Sequence, residues 1–393
     1  MKIHTYKSGE SIKDIAKKYG ISEECLRESN RLPVGEAAIG EELLVLTPTR
    51  THTLAKGDSL ERLALRFGVR TVDILAQNPW ISETGLTVGK TVNLKYDNKI
   101  YGTAPTNGYI YQNYDKNRLK MLFPYLTYIT IGCAAADKKQ IKHLFDDQEL
   151  LSEIKKEGKI PLLRIYDELP CRDLSTHEKR QEFAQNIVDA AKSREYMGVV
   201  LASGECESAL HFGEFLCTLR KAMIGCDLIL ITEISEVTPP EISELADGNI
   251  LIYQKHLTSP QLSYEEGEGR CYSEHASRAE SAKTFIDIPA FAYNGGFIGI
   301  EEACIAARAH GAVIDSDSES LISVFQDKIR GRCVFPSLKS IKRTYDMIND
   351  FGYMGASFDI SKTPISHLLM YNAFFRTTIP STARVIDGCS KSG

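Results

Sequence analysis

The segment from His4 to Asn30 recurs from His52 to Asn78 at a constant offset of 48 residues, and no other feature constrains the fold of this chain as strongly. Identical pairs are His4/His52, Thr5/Thr53, Gly9/Gly57, Ser11/Ser59, Ala16/Ala64, Gly20/Gly68 and Asn30/Asn78, with Glu10/Asp58, Ile12/Leu60, Ile15/Leu63 and Tyr19/Phe67 as conservative ones. Self-similarity at such a period means two copies of one supersecondary unit. Each copy opens on a short strand and a Gly-acid-Ser turn, whose acidic or hydroxyl side chain can cap the helix that follows. Ile12, Ile15, Ala16 and Tyr19, like Leu60, Leu63, Ala64 and Phe67, share one apolar helical face that Gly20 and Gly68 terminate. A second helix is predicted over 22–29 and 71–77 and a closing strand over 43–46 and 91–94, so each copy reads as βααβ.

This unit resembles the LysM module, which binds N-acetylglucosamine-containing glycans of cell walls and spores. The resemblance runs through both copies, including the Gly-[Asp/Glu]-Ser turn and the Asn that ends the second helix. It implies a shallow sugar groove between the turn and the connection after the second helix. The groove residues would be Gly9, Glu10, Ser11, Ile12, Asn30, Arg31 and Leu32 in the first copy. In the second they would be Gly57, Asp58, Ser59, Leu60, Asn78, Pro79, Trp80 and Ile81. Gly, Ser and Asn also serve there as caps and turns, and both roles are compatible, since a capped turn leaves backbone groups facing outward that suit an acetamide. Trp80, the one tryptophan in the chain, is either a platform for a sugar face or part of the module core.

From about residue 99 onward, short β-branched or aromatic runs alternate with helical stretches. Strands are predicted over 107–112, 125–132, 160–166, 198–202, 227–232, 249–253, 284–290 and 355–360. That alternation calls for an α/β fold with parallel strands, and eight strands suggest a closed (β/α)8 TIM-type barrel, with an open doubly wound sheet as the alternative. The organisation read from sequence is 1–48 and 49–97 for the modules and 98–393 for the barrel. Asn107-Gly108-Tyr109, Pro124 to Tyr128, Asp147 to Leu150, Ile288 to Tyr293 and Phe351 to Ser357 follow the order and spacing of glycoside hydrolase family 18 barrels. The whole chain thus resembles LysM-bearing spore cortex-lytic N-acetylglucosaminidases.

Enzymes of that family need a Glu that protonates the glycosidic oxygen and a neighbouring acid that orients the substrate acetamide, both in a D-G-x-D-x-D-x-E pattern on the fourth strand. Here Met197, Val200, Ala202 and Gly204 stand at the four acidic positions, around a matching Gly198. The tryptophan of the last strand is absent near Phe358-Asp359, while the sixth-strand tyrosine is present as Tyr253. Glu205, Asp167, Glu233 and Asp359 fall at predicted C-terminal strand ends, the functional face of such a barrel. Glu205 would need a bulge to re-aim it, and the plainer expectation is that all four are solvated loop carboxylates. Cys206, between Glu205 and Glu207 and ahead of His211, makes a loose set for which an acidic loop suffices, so no metal and no cofactor is expected.

Composition limits the partners. With 47 basic and 52 acidic residues and no basic block, nucleic acid and anionic membrane are poor partners. The start, Met1-Lys2-Ile3-His4-Thr5-Tyr6-Lys7, lacks an apolar export core, and the ten scattered cysteines read mainly as small buried residues. The expectation is a protein made in the cytoplasm of a spore-forming bacterium and held on cortex or coat, with spore coat proteins as further partners. It would bind N-acetylglucosamine-containing polysaccharide through its modules and carry an inactive barrel. The rival is an active N-acetylglucosaminidase using Glu205 as a displaced acid.

Overall fold

The structure is a computed structural model that describes residues 1–33, 35–137, 140–166, 174–202, 209–235, 238–253, 267–278, 281–316, 321–327 and 331–378. Both repeats fold as read. In the first, Lys2–Thr5 pairs antiparallel with Glu42–Val45, and helices Ile12–Tyr19 and Glu23–Ser29 pack beneath. In the second, Pro48–Thr53 pairs with Thr91–Tyr96 over helices Leu60–Phe67 and Thr71–Gln77. A one-turn helix, Ile81–Thr84, was not foreseen. The serine hydroxyls, not the acids, cap the first helices: Ser11 Oγ accepts the Asp14 N–H at 3.1 Å and Ser59 Oγ the Arg62 N–H at 3.3 Å. Gly20 and Gly68 end those helices in the left-handed region, at φ 68° and 65°. Ile12, Ile15, Leu26 and Leu43 form the core of the first unit, and Leu54, Leu63, Ile74 and Val92 that of the second.

All eight predicted barrel strands are present: Thr106–Ile110, Tyr128–Asp137, Ile160–Tyr166, Gly198–Ala202, Ile229–Ile234, Gly248–Leu251, Thr284–Asp287 and Gly355–Asp359. Neighbours are parallel throughout, and the first strand pairs with both the second (Asn107 beside Tyr128) and the eighth (Ser357 beside Asn107), which closes the ring and excludes the open sheet. Side chains alternate across each strand. Tyr109, Tyr128, Leu162, Val200, Ile231, Ile250 and Phe285 fill the interior. The intervening residues meet the surrounding helices, such as His177–Ser193, whose Phe183, Ile187, Val188 and Ala191 are buried as its apolar face requires.

The seventh strand ends at Asp287, three residues earlier than expected, because Pro289 has no N–H to give a ladder. Strands Phe291–Tyr293, Phe297–Gly299, Asp315–Ser316, Ile322–Asp327 and Gly331–Pro336 then form a five-stranded antiparallel sheet with helix Ile300–His310 packed on it, an insertion that sequence periodicity did not reveal. The first repeat is built into this insertion. Ala38 belongs to the insertion's apolar core, Ile314 donates its N–H to the Ile39 carbonyl at 2.8 Å, and Arg308 pairs with Glu41 through two hydrogen bonds, with both side chains largely buried. Gly40 sits at φ 85°, and a Cβ there would run into the Ile314 carbonyl. Replacing Gly40 by Ala therefore adds a backbone clash to the left-handed penalty and should cost about 1–3 kcal/mol of stability. Gly89→Ala is the control, because Gly89 has a similar φ of 88° and open space around it. Denaturant unfolding of both variants measures the difference, which should be clearly larger for Gly40.

Candidate functional site: the barrel mouth and the two repeat grooves

The C-terminal ends of the barrel strands place a compact polar group in the mouth. Glu233, on the fifth strand, is 5% exposed and accepts from Arg164 of the third strand at both oxygens, Nε at 2.5 Å and Nη2 at 2.8 Å. The Tyr109 hydroxyl of the first strand donates to the same carboxylate at 2.8 Å. Burial works against the charge on Arg164, but the hydrogen bonds and charge of Glu233 outweigh it and raise the guanidinium pKa. Glu233 is therefore not the solvated loop carboxylate expected from sequence but one half of a buried fork-to-fork pair. Tyr111 stacks on Tyr109 with ring planes 6° apart and keeps one face toward solvent.

Asp287, at the end of the seventh strand, is half-buried near this pair. Burial chiefly, then the charges of Glu233 and Asp359, push its carboxyl up to about 8, and a hydrogen bond from Ser357 offsets only part of that. Near neutral pH it retains a proton. Sequence reasoning passed over both Arg164 and Asp287, although each is a charged residue within an apolar strand (Leu162-Leu163-Arg164-Ile165 and Phe285-Ile286-Asp287-Ile288). That local contrast was the available signal. Below them, Thr130 donates to Asn107, which donates to Ser357, so the polar layer beneath the mouth satisfies itself.

The fourth strand meets this cluster with carbon. Val200 is fully buried among the interior apolar residues, and Ala202, two positions along on the same face, pairs in register with Glu233. Tyr253 is buried with the outer core that also holds Leu251, and Phe358 packs its ring against Tyr371. Asp359 closes a local turn by accepting the N–H groups of Ser361 at 2.8 Å and Lys362 at 3.0 Å. It is half-buried at the end of its strand, with the turn it closes exposed. Asp167, Gly204, Glu205, Cys206 and Glu207 lie outside the described residues. Among the described residues no group of His, Cys, Asp and Glu is arranged to hold a metal. Cys217 is exposed, unlike the buried role expected for most of the cysteines.

In the repeats the structure assigns several expected groove residues to the fold itself. Asn30 donates to Leu26 and Leu44 carbonyls, both at 2.9 Å, and accepts the Leu44 N–H; Asn78 does the same with Ile74 and Asn93. Glu10 and Asp58 accept from the side chains of His4 and His52, at 2.9 and 2.7 Å, and from backbone N–H groups of Lys7 and Ala55. Trp80 and Ile81 are 7% and 6% exposed in the core of the second unit, and the Lys90 ammonium covers the indole at 3.9 Å from the ring centre. Leu32 is likewise buried, and Pro79 precedes the one-turn helix. Arg31 reaches out of its unit to Glu83 of the other repeat, at 2.9 Å. The turns Gly9–Ser11 and Gly57–Leu60 remain as the outward features, with Gly9 at φ 83° and Gly57 at φ 93°, while Ile12 is buried.

The LysM domain profile matches residues 4–45 and 52–95. Both repeats are LysM domains. The chain is 25% identical over 256 residues to YdhD of Bacillus subtilis (strain 168), a sporulation-specific glycosylase by name, a match that spans 62% of this chain and 60% of that relative. The spore cortex-lytic enzyme SleL of Bacillus megaterium QM B1551 has the same fold over 96% of this chain and 99% of its own, at 18% identity and a TM-score of 0.71. A chitinase from Chromobacterium violaceum ATCC 12472 superimposes on 69% of this chain and 98% of its own, at 15% identity and a TM-score of 0.59. The LysM domains and barrel of this chain thus share the fold and arrangement of a cortex-lytic enzyme.

Asp287 gives the mouth a pH signature. In the unfolded chain an Asp ionises near pH 4, but in the fold it holds its proton to about 8. Between these values the native state binds more protons than the unfolded one, so this group lowers stability as pH rises from 4 to 8. Asp287→Asn should therefore raise the melting temperature at pH 8 and leave it nearly unchanged at pH 4, as followed by thermal unfolding at both values.

Proposed function

We propose that this chain binds N-acetylglucosamine-containing polysaccharide, peptidoglycan or a chitin-like polymer, through its LysM domains, and that its barrel serves as a binding or scaffold domain without hydrolysing the glycan. The observation that carries the second half is the fourth strand, where Val200 and Ala202 face inward in place of acids. Substrate-assisted cleavage needs a proton donor and a second acid to steady the acetamide. The carboxylate beside Ala202, Glu233, has both oxygens committed to Arg164 and Tyr109 and is poorly placed to take either role. We also propose that the units run over 1–48, 49–97 and 98–393, and that the protein is spore-associated, in keeping with the cortex-lytic and sporulation names of its relatives. Spore coat proteins are the further partners this reading suggests. No described helix is long and apolar enough to cross a membrane.

The purified full chain should sediment with insoluble peptidoglycan or chitin and release no reducing sugar from cortex fragments or aryl N-acetylglucosaminides. A positioned general acid commonly supplies ~10² to 10⁴ in rate, and loss of the acetamide-orienting acid removes the internal nucleophile as well. Sugar release that is abolished by Glu205→Gln and retained in Glu207→Gln would replace this reading with that of an enzyme using a displaced acid.

A further inference from the structure

The two LysM domains of this chain have diverged at their grooves, and comparing one with the other gives each groove an internal reference. In the first domain, Glu36 reaches from the connection after the second helix across to the turn, where Oε2 accepts the Ile12 N–H at 2.8 Å and lies 3.2 Å from the Tyr6 hydroxyl. Tyr6 in turn donates to the Glu10 carbonyl, so both edges of the groove are tied together through polar groups of the protein itself. Ile12 is fully buried beneath this bridge.

The second domain has none of these parts. Leu54 replaces Tyr6 and brings no hydroxyl, and Thr84 and Gly85, at the place of Glu36, bring no acid, Thr84 donating instead to the Trp80 carbonyl. Glu83, the one acid between Asn78 and Thr91, is engaged by Arg31. The Leu60 N–H, counterpart of the Ile12 N–H, meets no acceptor among the described residues, and the Leu60 side chain is only half-buried. Meanwhile the far side of the first domain is consumed by the barrel, through Gly40 against Ile314, Glu41 with Arg308 and Lys339 with Glu42.

We propose that the second LysM domain is the one that binds the acetamido sugar, and that the first, its groove closed by Glu36, has a structural role against the insertion. This rests on the glycan-binding reading above and names which half carries it. Glu36 is exposed, but its carboxylate occupies the backbone donor that an acetamide carbonyl would otherwise meet, so a sugar entering this groove must first displace a charge-assisted hydrogen bond.

The test uses the full chain and soluble tetra-N-acetylchitotetraose in isothermal titration calorimetry. Gly9→Val and Gly57→Val form a matched pair, since both glycines have positive φ with room for a side chain, so each strains only its own turn. The expected result is a loss of at least about tenfold in affinity for Gly57→Val and less than about twofold for Gly9→Val. Glu36→Ala should open the first groove and add a second site, a gain that misfolding cannot mimic. Equal losses from the two glycine variants, or an unchanged stoichiometry in Glu36→Ala, would overturn the assignment to the second domain. Binding that survives the Gly9→Val/Gly57→Val double variant would instead overturn the glycan-binding reading of both domains, and this assignment with it.

Discussion

The closed parallel ring requires every second residue of eight strands to share one interior, and most of the functional argument follows from that constraint. At the bottom and middle of the ring the shared space is apolar, with Tyr128, Val200, Ile231 and Phe285 in contact. At the top the same alternation brings Arg164, Glu233, Tyr109 and Asp287 together from four different strands. None of these is near another in sequence. Their association is a consequence of ring closure, and what they can do is set by how their charges balance: one cation, one paired carboxylate, and one carboxyl that keeps its proton chiefly because it is taken out of water and then because Glu233 and Asp359 are negative beside it.

The parts of the fold governed by local periodicity were legible in the sequence. The helical faces of the repeats and the eight short apolar runs each carry their signal within a few residues, and the paired glycines at positions 20 and 68 mark their helix ends directly. The site was less legible, because its determinants are long-range. Nothing near Glu233 announces that Arg164, 69 residues away, will neutralise it. Likewise nothing near Asn30 or Asn78 shows that each will pin the following strand rather than meet a ligand. The five-stranded insertion escaped notice for a related reason: three of its strands have only two or three residues, too few for a period to be read.

Duplication left two domains with the same framework under different demands. The shared His–acid pairs, His4 with Glu10 and His52 with Asp58, hold the turn in both copies, as do the serine caps and asparagine pins. The differences lie at the groove, where Tyr6 and Glu36 of the first copy have no polar equivalent in the second, whereas Gly40 is matched by Gly89, which donates to the Leu54 carbonyl as Gly40 does to that of Tyr6. Tyr6 and Glu36 bond across the groove within their own domain, and only Gly40 of the three meets the insertion. Both domains pack on the barrel, the second through the Tyr125 hydroxyl to the Ala76 carbonyl and Arg70 to the Thr377 carbonyl, so what separates the two copies is the groove rather than their docking.

The Arg164–Glu233 pair illustrates why a barrel can dispense with catalytic acids and still keep charge in its mouth. Burying two charges costs several kcal/mol, and a pair of hydrophobic residues in their place is commonly no less stable. Removing only one partner is much worse, because it leaves the other buried and uncompensated, at about 3–5 kcal/mol. The pair is therefore difficult to lose by single substitutions even where no chemistry depends on it. Val200 and Ala202 raise no such barrier: they satisfy themselves by packing and ask nothing of their neighbours. Polar residues in the mouth of this barrel are thus held in place by one another, and the presence of a buried carboxylate there is evidence of a balanced charge before it is evidence of a reaction.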